Sequence, residues 1–281
     1  MHTTRPMILA ALGALVLTAC PQPPEPPAQE PPHERDMRVT PGPDLSQLPD
    51  EAPDLGSAPD LGPARHDRVE AWAPGAARAW VVEEGGPRHP MTPASQDRWV
   101  ADARPIARGQ TYWLELEMAD GATLERADPG ALAVGPRAHT STRYAPGATA
   151  PSVRGVGPLE QVVLYELHVG SFHALQGPPA TFAQVLERLD HLEELGINSL
   201  AIMPVHAFAT GLSWGYNPTS LYAVEPSYGG PEGLTELVAR AHKREMSVVV
   251  DVVYNHLDGA SPLCGWLPGD GCGPYFYANP P

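Results

Sequence analysis

The sequence predicts a β region followed by an α/β region: a small β-sandwich, then three strand–helix units that open an α/β sheet or barrel. Three observations point that way. Between Asp67 and Val134 short apolar runs end at turn residues, and Tyr112, Leu114, Leu116 and Met118 alternate with Trp113, Glu115 and Glu117, the two-residue period of a half-buried strand. From Gln161 onward, strands alternate with helical patterns. The last strand, Ser247 to Val253, is almost wholly apolar, as expected where both faces of a parallel sheet are covered.

The elements follow in order. Residues 1–20 carry Arg5, an apolar stretch from Met7 to Leu17 and small residues before Cys20, the anatomy of a signal peptide too short to span a membrane. This stretch resembles a bacterial lipoprotein signal, which implies Cys20 as the lipidated residue, an anchor in a membrane and a place in the cell envelope outside the cytoplasm. Residues 21–65 are Pro-rich and acidic and read as an extended tether. Residues 66–136 hold the sandwich strands, including Arg68 to Ala73, Ala79 to Val82 and Thr111 to Met118, and residues 137–158 read as a linker.

Residues 159–281 make up the α/β region. Val162 to Leu167 is its first strand. Thr181 to Leu195 then places Phe182, Val185, Leu186, Leu189 and Leu192 on one helical stripe, and Gly196 stops it. Ser199 to Met203 is the second strand. After a long loop, Pro231 suits the first turn of a helix carrying Leu234, Leu237, Val238 and Ala241. The third strand closes the series.

Composition narrows the partners. With 18 Lys and Arg against 33 Asp and Glu, the 281-residue chain has a formal charge of -15, which opposes nucleic-acid and anionic-lipid binding and leaves a neutral substrate as the comfortable partner. Three cysteines make neither a disulfide scaffold nor a zinc site at these spacings.

Chemistry concentrates where strands end. The third strand runs into Asp251, Val252, Val253, Tyr254, Asn255 and His256, and the loop after the second holds Trp214, Gly215, Tyr216, Asn217 and Pro218, then Tyr222 and Ser227 to Gly233. Rings beside hydrogen-bonding groups suit sugars, whose C–H faces stack while their hydroxyls need partners.

Together with Leu164 to Phe172 and Ala241 to Val250, these segments resemble the α-amylase family, glycoside hydrolase family 13. The resemblance covers roughly Leu159 to Phe276 and leans toward glucan-branching and malto-oligosyltrehalose-hydrolysing members, with a carbohydrate-module-like sandwich in front. It implies a TIM-type (β/α)8 barrel, of which the first three βα units are present, and an α-glucan or malto-oligosaccharide as substrate. Carried over by position, Tyr216 stacks under a sugar ring, His256 hydrogen-bonds the same sugar, Trp214 lines the site, Asp251 braces it from the strand, and Asn255 orients the loop or, in calcium-dependent relatives, ligates the ion. His168 reads as a structural hydrogen-bonding residue.

Retaining glycosidases need a carboxylate nucleophile and a carboxylic acid across the scissile bond. The family resemblance implies that these lie on the fourth and fifth strands. About 250 residues make such a barrel, whereas only 120 follow Gln161. No residue is therefore assigned as nucleophile or acid, Asp258 and Asp270 read as solvated loop residues, and the sheet is expected to have an open edge. The expectation is a truncated or incomplete glycosidase or transglycosidase, inactive by itself. The rival is a surface lipoprotein that binds α-glucan without turnover. With Cys20 lipidated, Cys264 and Cys272 are the remaining pair, expected to form a local disulfide in an oxidising compartment.

Overall fold

The strand with the strongest alternation organises the first half of the molecule. In the computed structural model, which describes residues 67–95, 97–145, 158–173, 177–209, 211–267 and 275–276, the strand β6 spans Thr111–Met118 and buries Tyr112, Leu114 and Leu116 while Trp113, Glu115 and Glu117 face outward. Around it, β1 is Arg68–Trp72, β2 Ala76–Glu83, β3 Arg88–Pro90, β4 Thr92–Pro93, β5 Arg98–Asp102, β7 Thr123–Arg126 and β8 Ser141–Thr142. All of these residues lie in one compact unit, Pro59–Pro281.

Two antiparallel sheets result, one ordered β1-β5-β4, the other β3-β2-β6-β7 with β8 also paired to β6. The chain passes from the first sheet to the second at Pro74 and Gly75, where Gly75 takes φ 79°, a left-handed conformation that glycine adopts without strain. Val69 and Ala71 of β1, Trp99 of β5, Ala79 and Val81 of β2, and Leu114 and Leu116 of β6 share one core. On β2 and β6 the pairs Val81 with Leu114 and Ala79 with Leu116 stand directly opposite, which keeps large and small side chains interleaved.

The region read as a linker is corrected here. Ser141 and Thr142 form β8, the Ser141 hydroxyl accepts from the Asp128 N–H at 3.0 Å, and the guanidinium of buried Arg143 donates to the Ala103 carbonyl at 3.1 Å. A polar run of Thr, Ser, Thr and Arg has no apolar period to announce a strand, yet each polar side chain finds a hydrogen-bond partner.

The second half is a parallel sheet in sequential order, with β9 Leu164–Leu167, β10 Ser199–Ile202 and β11 Ser247–Val250. Rows Tyr165, Leu200, Val248 and Leu167, Ile202, Val250 lie in register and pack against helices on one side. A side chain fully buried this way contributes about 1.5–3 kcal/mol. The opposite rows place Glu166, Ala201 and Val249 together, and Leu164 and Val249 there remain 53% and 54% exposed. The expectation that the third strand is covered on both faces is corrected accordingly: only the helix-facing side is.

Among the described residues four α-helices connect the strands: α1 Val169–Phe172, α2 Phe182–Leu186, α3 Leu189–Glu194 and α4 Gly230–Lys243. The predicted helix over 181–195 divides because Arg188 N–H reaches back only to the Val185 carbonyl, a tighter turn that ends α2 before α3 begins. The stripe survives the break: Phe182, Val185, Leu189 and Leu192 are all buried. At the far end Ile197 N–H bonds the Leu192 carbonyl across Gly196 at φ 80°, a glycine-based stop. Gly229 at φ 106° precedes α4, Pro231 sits in its first turn, and Arg240, His242 and Lys243 fill its last turn, where cations favour the helix dipole. No helix among the described residues is long and apolar enough to cross a membrane.

Candidate functional site

The C-terminal ends of β9, β10 and β11 and the loops that leave them form a rim. Asp251 extends β11 by one rung, its N–H bonding the Ile202 carbonyl at 2.9 Å, so its carboxylate projects where the sheet ends. The Tyr216 hydroxyl donates to Asp251 Oδ2 at 2.9 Å. That bond, aided by partial burial and by the fields of Asp251 and Glu166, pushes the Tyr216 hydroxyl above the ordinary tyrosine range.

His256 holds the same tyrosine from its backbone. Its Nε2 lies 2.7 Å from the Tyr216 carbonyl oxygen, which can only accept, so Nε2 carries the proton and Nδ1 accepts from Asn255 Nδ2 at 2.8 Å. Both ring nitrogens are thereby engaged within the protein, and His256 acts here as a clamp on Tyr216. Tyr216 is gripped at its carbonyl and at its hydroxyl, while its ring remains 42% exposed.

The loop carrying Tyr216 is built tightly. Ser213 Oγ donates to Asn217 Oδ1 and accepts from Gly215 N–H at 3.0 Å. Gly215 sits at φ 86°, and a Cβ there would lie 2.1 Å from the Pro204 carbonyl oxygen, so only glycine fits. His168 supports the loop from below, with Nε2 donating to the Ser213 carbonyl at 2.8 Å and Nδ1 2.9 Å from Ser171 Oγ. Buried Tyr228 meets His168, Phe182 and Phe208 edge-on at 6.0, 6.1 and 5.6 Å between ring centroids. Its hydroxyl is pushed up to about 12, first by burial and then by nearby Glu225.

Of the residues singled out from sequence, the structure brings Tyr216, Asp251, Asn255 and His256 into one bonded network. Trp214 stands at the tip of the loop, its ring exposed. Asp258, read as a solvated loop residue, is instead tied down: its carboxylate accepts from Ala260 N–H at 2.8 Å and from Asn217 Nδ2 at 3.1 Å, which together hold it below the usual range. Asp270, Cys20 and Cys272 lie outside the described residues, while Cys264 is half-buried. Calcium asks for six to eight oxygens, and among the described residues no three His, Cys, Asp or Glu side chains converge to hold a metal.

Sequence reasoning missed His206 and Glu166. His206 lies four residues past the end of β10, is buried to 7% exposure, and lies 5.8 Å from the Tyr254 ring, which in turn lies 6.3 Å from Tyr222. Burial lowers its pKa despite the opposing pull of Asp251. Its position in the loop that leaves a strand's C-terminal end was the available signal. Apart from the rim, a cleft of about 390 Å3 lies between Asp128 and Ser141 on the sandwich side and Phe208, Thr219, Glu225 and Leu263 on the other. Its carboxylates serve the loops around them: Asp128 accepts from Tyr112 OH at 2.7 Å and Gly130 N–H at 2.8 Å, and Glu225 from Ser227 N–H at 2.9 Å and Phe208 N–H at 3.2 Å.

Residues 175–261 match the family model for the α-amylase catalytic domain. A malto-oligosyltrehalose trehalohydrolase of Arthrobacter ramosus is 36% identical over 74% of the chain and 35% of its own length. A 1,4-α-glucan branching enzyme of Pseudomonas aeruginosa is 30% identical over 77% of the chain and 32% of its own. The chain belongs to the α-amylase family. Among solved structures, a putative α-amylase from Salmonella typhimurium aligns with TM-score 0.59 and 29% identity over 71% of this chain and 33% of that one. The chain thus spans about a third of the length of these α-amylase-family relatives.

Proposed function

We propose that the chain is the sugar-facing N-terminal portion of an α-glucan-active hydrolase or transglycosidase that works outside the cytoplasm, lipid-anchored through Cys20. The observation that carries the reading is the double grip on Tyr216, by Asp251 at the hydroxyl and His256 at the carbonyl. A ring held at both ends loses little freedom when a glucose unit stacks on it, so the cost of ordering is met before binding. The names of the trehalohydrolase and branching-enzyme relatives support a malto-oligosaccharide or α-glucan as the ligand.

By itself the 281-residue polypeptide binds glucan without cutting it. Asp251 and Asp258 hold Tyr216 and Asn217 in place, which supports a bracing role for both rather than that of nucleophile or acid. The same bracing role favours the second reading, a surface lipoprotein that holds α-glucan without turnover.

Titration calorimetry of the purified chain with maltoheptaose tests the binding, with Tyr216→Ala expected to abolish it and no reducing sugar expected to appear. Release of maltose or glucose from maltoheptaose or amylopectin would refute the non-catalytic reading. An open frame beyond the codon for Pro281, running into further strands with paired carboxylates, would select the enzyme over the binding lipoprotein.

A further inference from the structure

We infer that Trp266 is a positioning residue for the sugar-facing rim, through which the sandwich sets the place of Tyr216 without touching glucan. The segment after β11 leaves the rim at His256 and, ten positions later, enters the sandwich core. Trp266 is fully buried there, with Leu263 and Leu267 beside it, in the same cluster as Val69, Trp99, Leu114 and Leu116. The Arg126 guanidinium, from β7, donates to the Trp266 carbonyl. The Trp266 ring meets Tyr275 edge-on at 5.3 Å, and the Tyr275 hydroxyl accepts from Trp72 N–H, in β1, at 2.9 Å. Both sheets therefore hold this residue, β7 at its backbone carbonyl and β1 through Tyr275.

Between these two ends the segment is stitched to the loop that carries Tyr216. Asp258 N–H bonds the Pro218 carbonyl at 2.7 Å, Asn217 Nδ2 bonds Asp258 Oδ2 at 3.1 Å, and Ser261 Oγ bonds the Thr219 carbonyl at 2.8 Å. Within the segment, Ser261 N–H bonds the Asp258 carbonyl and Cys264 N–H the Ser261 carbonyl, so little slack separates the stitches from Trp266. The bonds land on Asn217, Pro218 and Thr219, directly beside Tyr216. Removing the anchor frees the segment, weakens the stitches and lets Tyr216 drift from Asp251.

The inference rests on the glucan reading, and the experiment separates the two. Maltoheptaose affinity is measured for the wild type, Trp266→Ala, Trp266→Phe and Val81→Ala, the last being a buried β2 residue of the same core that stands opposite Leu114 rather than within the segment. Circular dichroism fixes a temperature at which each is folded. Trp266→Ala is expected to bind about tenfold more weakly, Trp266→Phe to recover most of the loss, and Val81→Ala to bind like the wild type. If Trp266→Ala does not fold, Leu267→Ala takes its place.

Hydrogen exchange is read in parallel: the Asp258 and Ser261 amides should lose protection in Trp266→Ala and keep it in Val81→Ala. Unchanged affinity and protection in Trp266→Ala would overturn the inference, as would equal losses in Val81→Ala. Should the wild type bind no maltoheptaose, the glucan reading fails and the exchange data alone judge the anchor.

Discussion

Replacing Asp128 by Asn should remove a pH dependence of stability that the wild type shows between about pH 4 and pH 6. The Asp128 carboxyl is buried between the sandwich and the loop that leads to β8, and burial raises its pKa from 3.8 to about 6, against the opposing pull of Tyr112 OH, Gly130 N–H and Arg143. Because the folded-state value is the higher one, the native protein holds a proton that the unfolded chain has released between those two pH values. The Asp128 contribution to stability is therefore greatest below about pH 4, falls as pH rises through that window, and levels off above about pH 6. A shift of about two units corresponds to about 3 kcal/mol.

Asparagine keeps the acceptor for Gly130 and cannot ionise, so the difference between variant and wild type should shift in the variant's favour by up to that amount from pH 4 to pH 7. Urea denaturation followed by tryptophan fluorescence at each pH measures it, and subtracting the two curves cancels the other carboxylates. Curves that run parallel across the window would show that Asp128 ionises normally and that the burial argument is wrong.

Three further outcomes follow from the geometry. Tyr216→Phe keeps the ring but loses the hydroxyl bond to Asp251, and calorimetry should find maltoheptaose affinity reduced about tenfold, a smaller loss than for Tyr216→Ala. Gly215→Ala forces a Cβ against the Pro204 carbonyl, so it should abolish glucan binding while far-UV circular dichroism still shows the sandwich strands. Intact mass spectrometry with and without reductant should show a gain of two hydrogens if Cys264 and Cys272 are bridged; an unchanged mass means no bridge.

The elements that were legible from sequence are those with a repeating apolar signal. β6 was read to the residue because its period persists for eight positions, and α4 because Pro231 and the apolar stripe agree. The split between α2 and α3 was hidden, since the stripe of Phe182, Val185, Leu189 and Leu192 continues across a turn that changes only backbone pitch. β8 was hidden for the opposite reason: its stabilisation comes from polar side chains whose partners, Asp128 and Val134, lie far along the chain from any local cue. At the site, residue types and their strand-end positions were readable, whereas directions were not. For His256 the sequence suggested a contact to sugar, and the bonds its nitrogens make to Tyr216 and Asn255 were not among the readable features. Trp266 gave no sequence signal at all, because an aromatic residue in a Gly and Pro loop does not reveal which core it enters.

Two glycines set limits on how this sequence can vary. A Cβ at Gly170 would meet the Tyr228 hydroxyl at 2.9 Å, and one at Gly233 would meet Phe182 Cδ2 at the same distance. The two rings also pack on each other, so four positions in three separate segments share a single volume. A mutational library should accept alanine at Gly233 only alongside a smaller side chain at Phe182. That coupling makes the quartet drift together or stay fixed, and it marks where recombining segments between relatives would create a steric mismatch that neither parent carried.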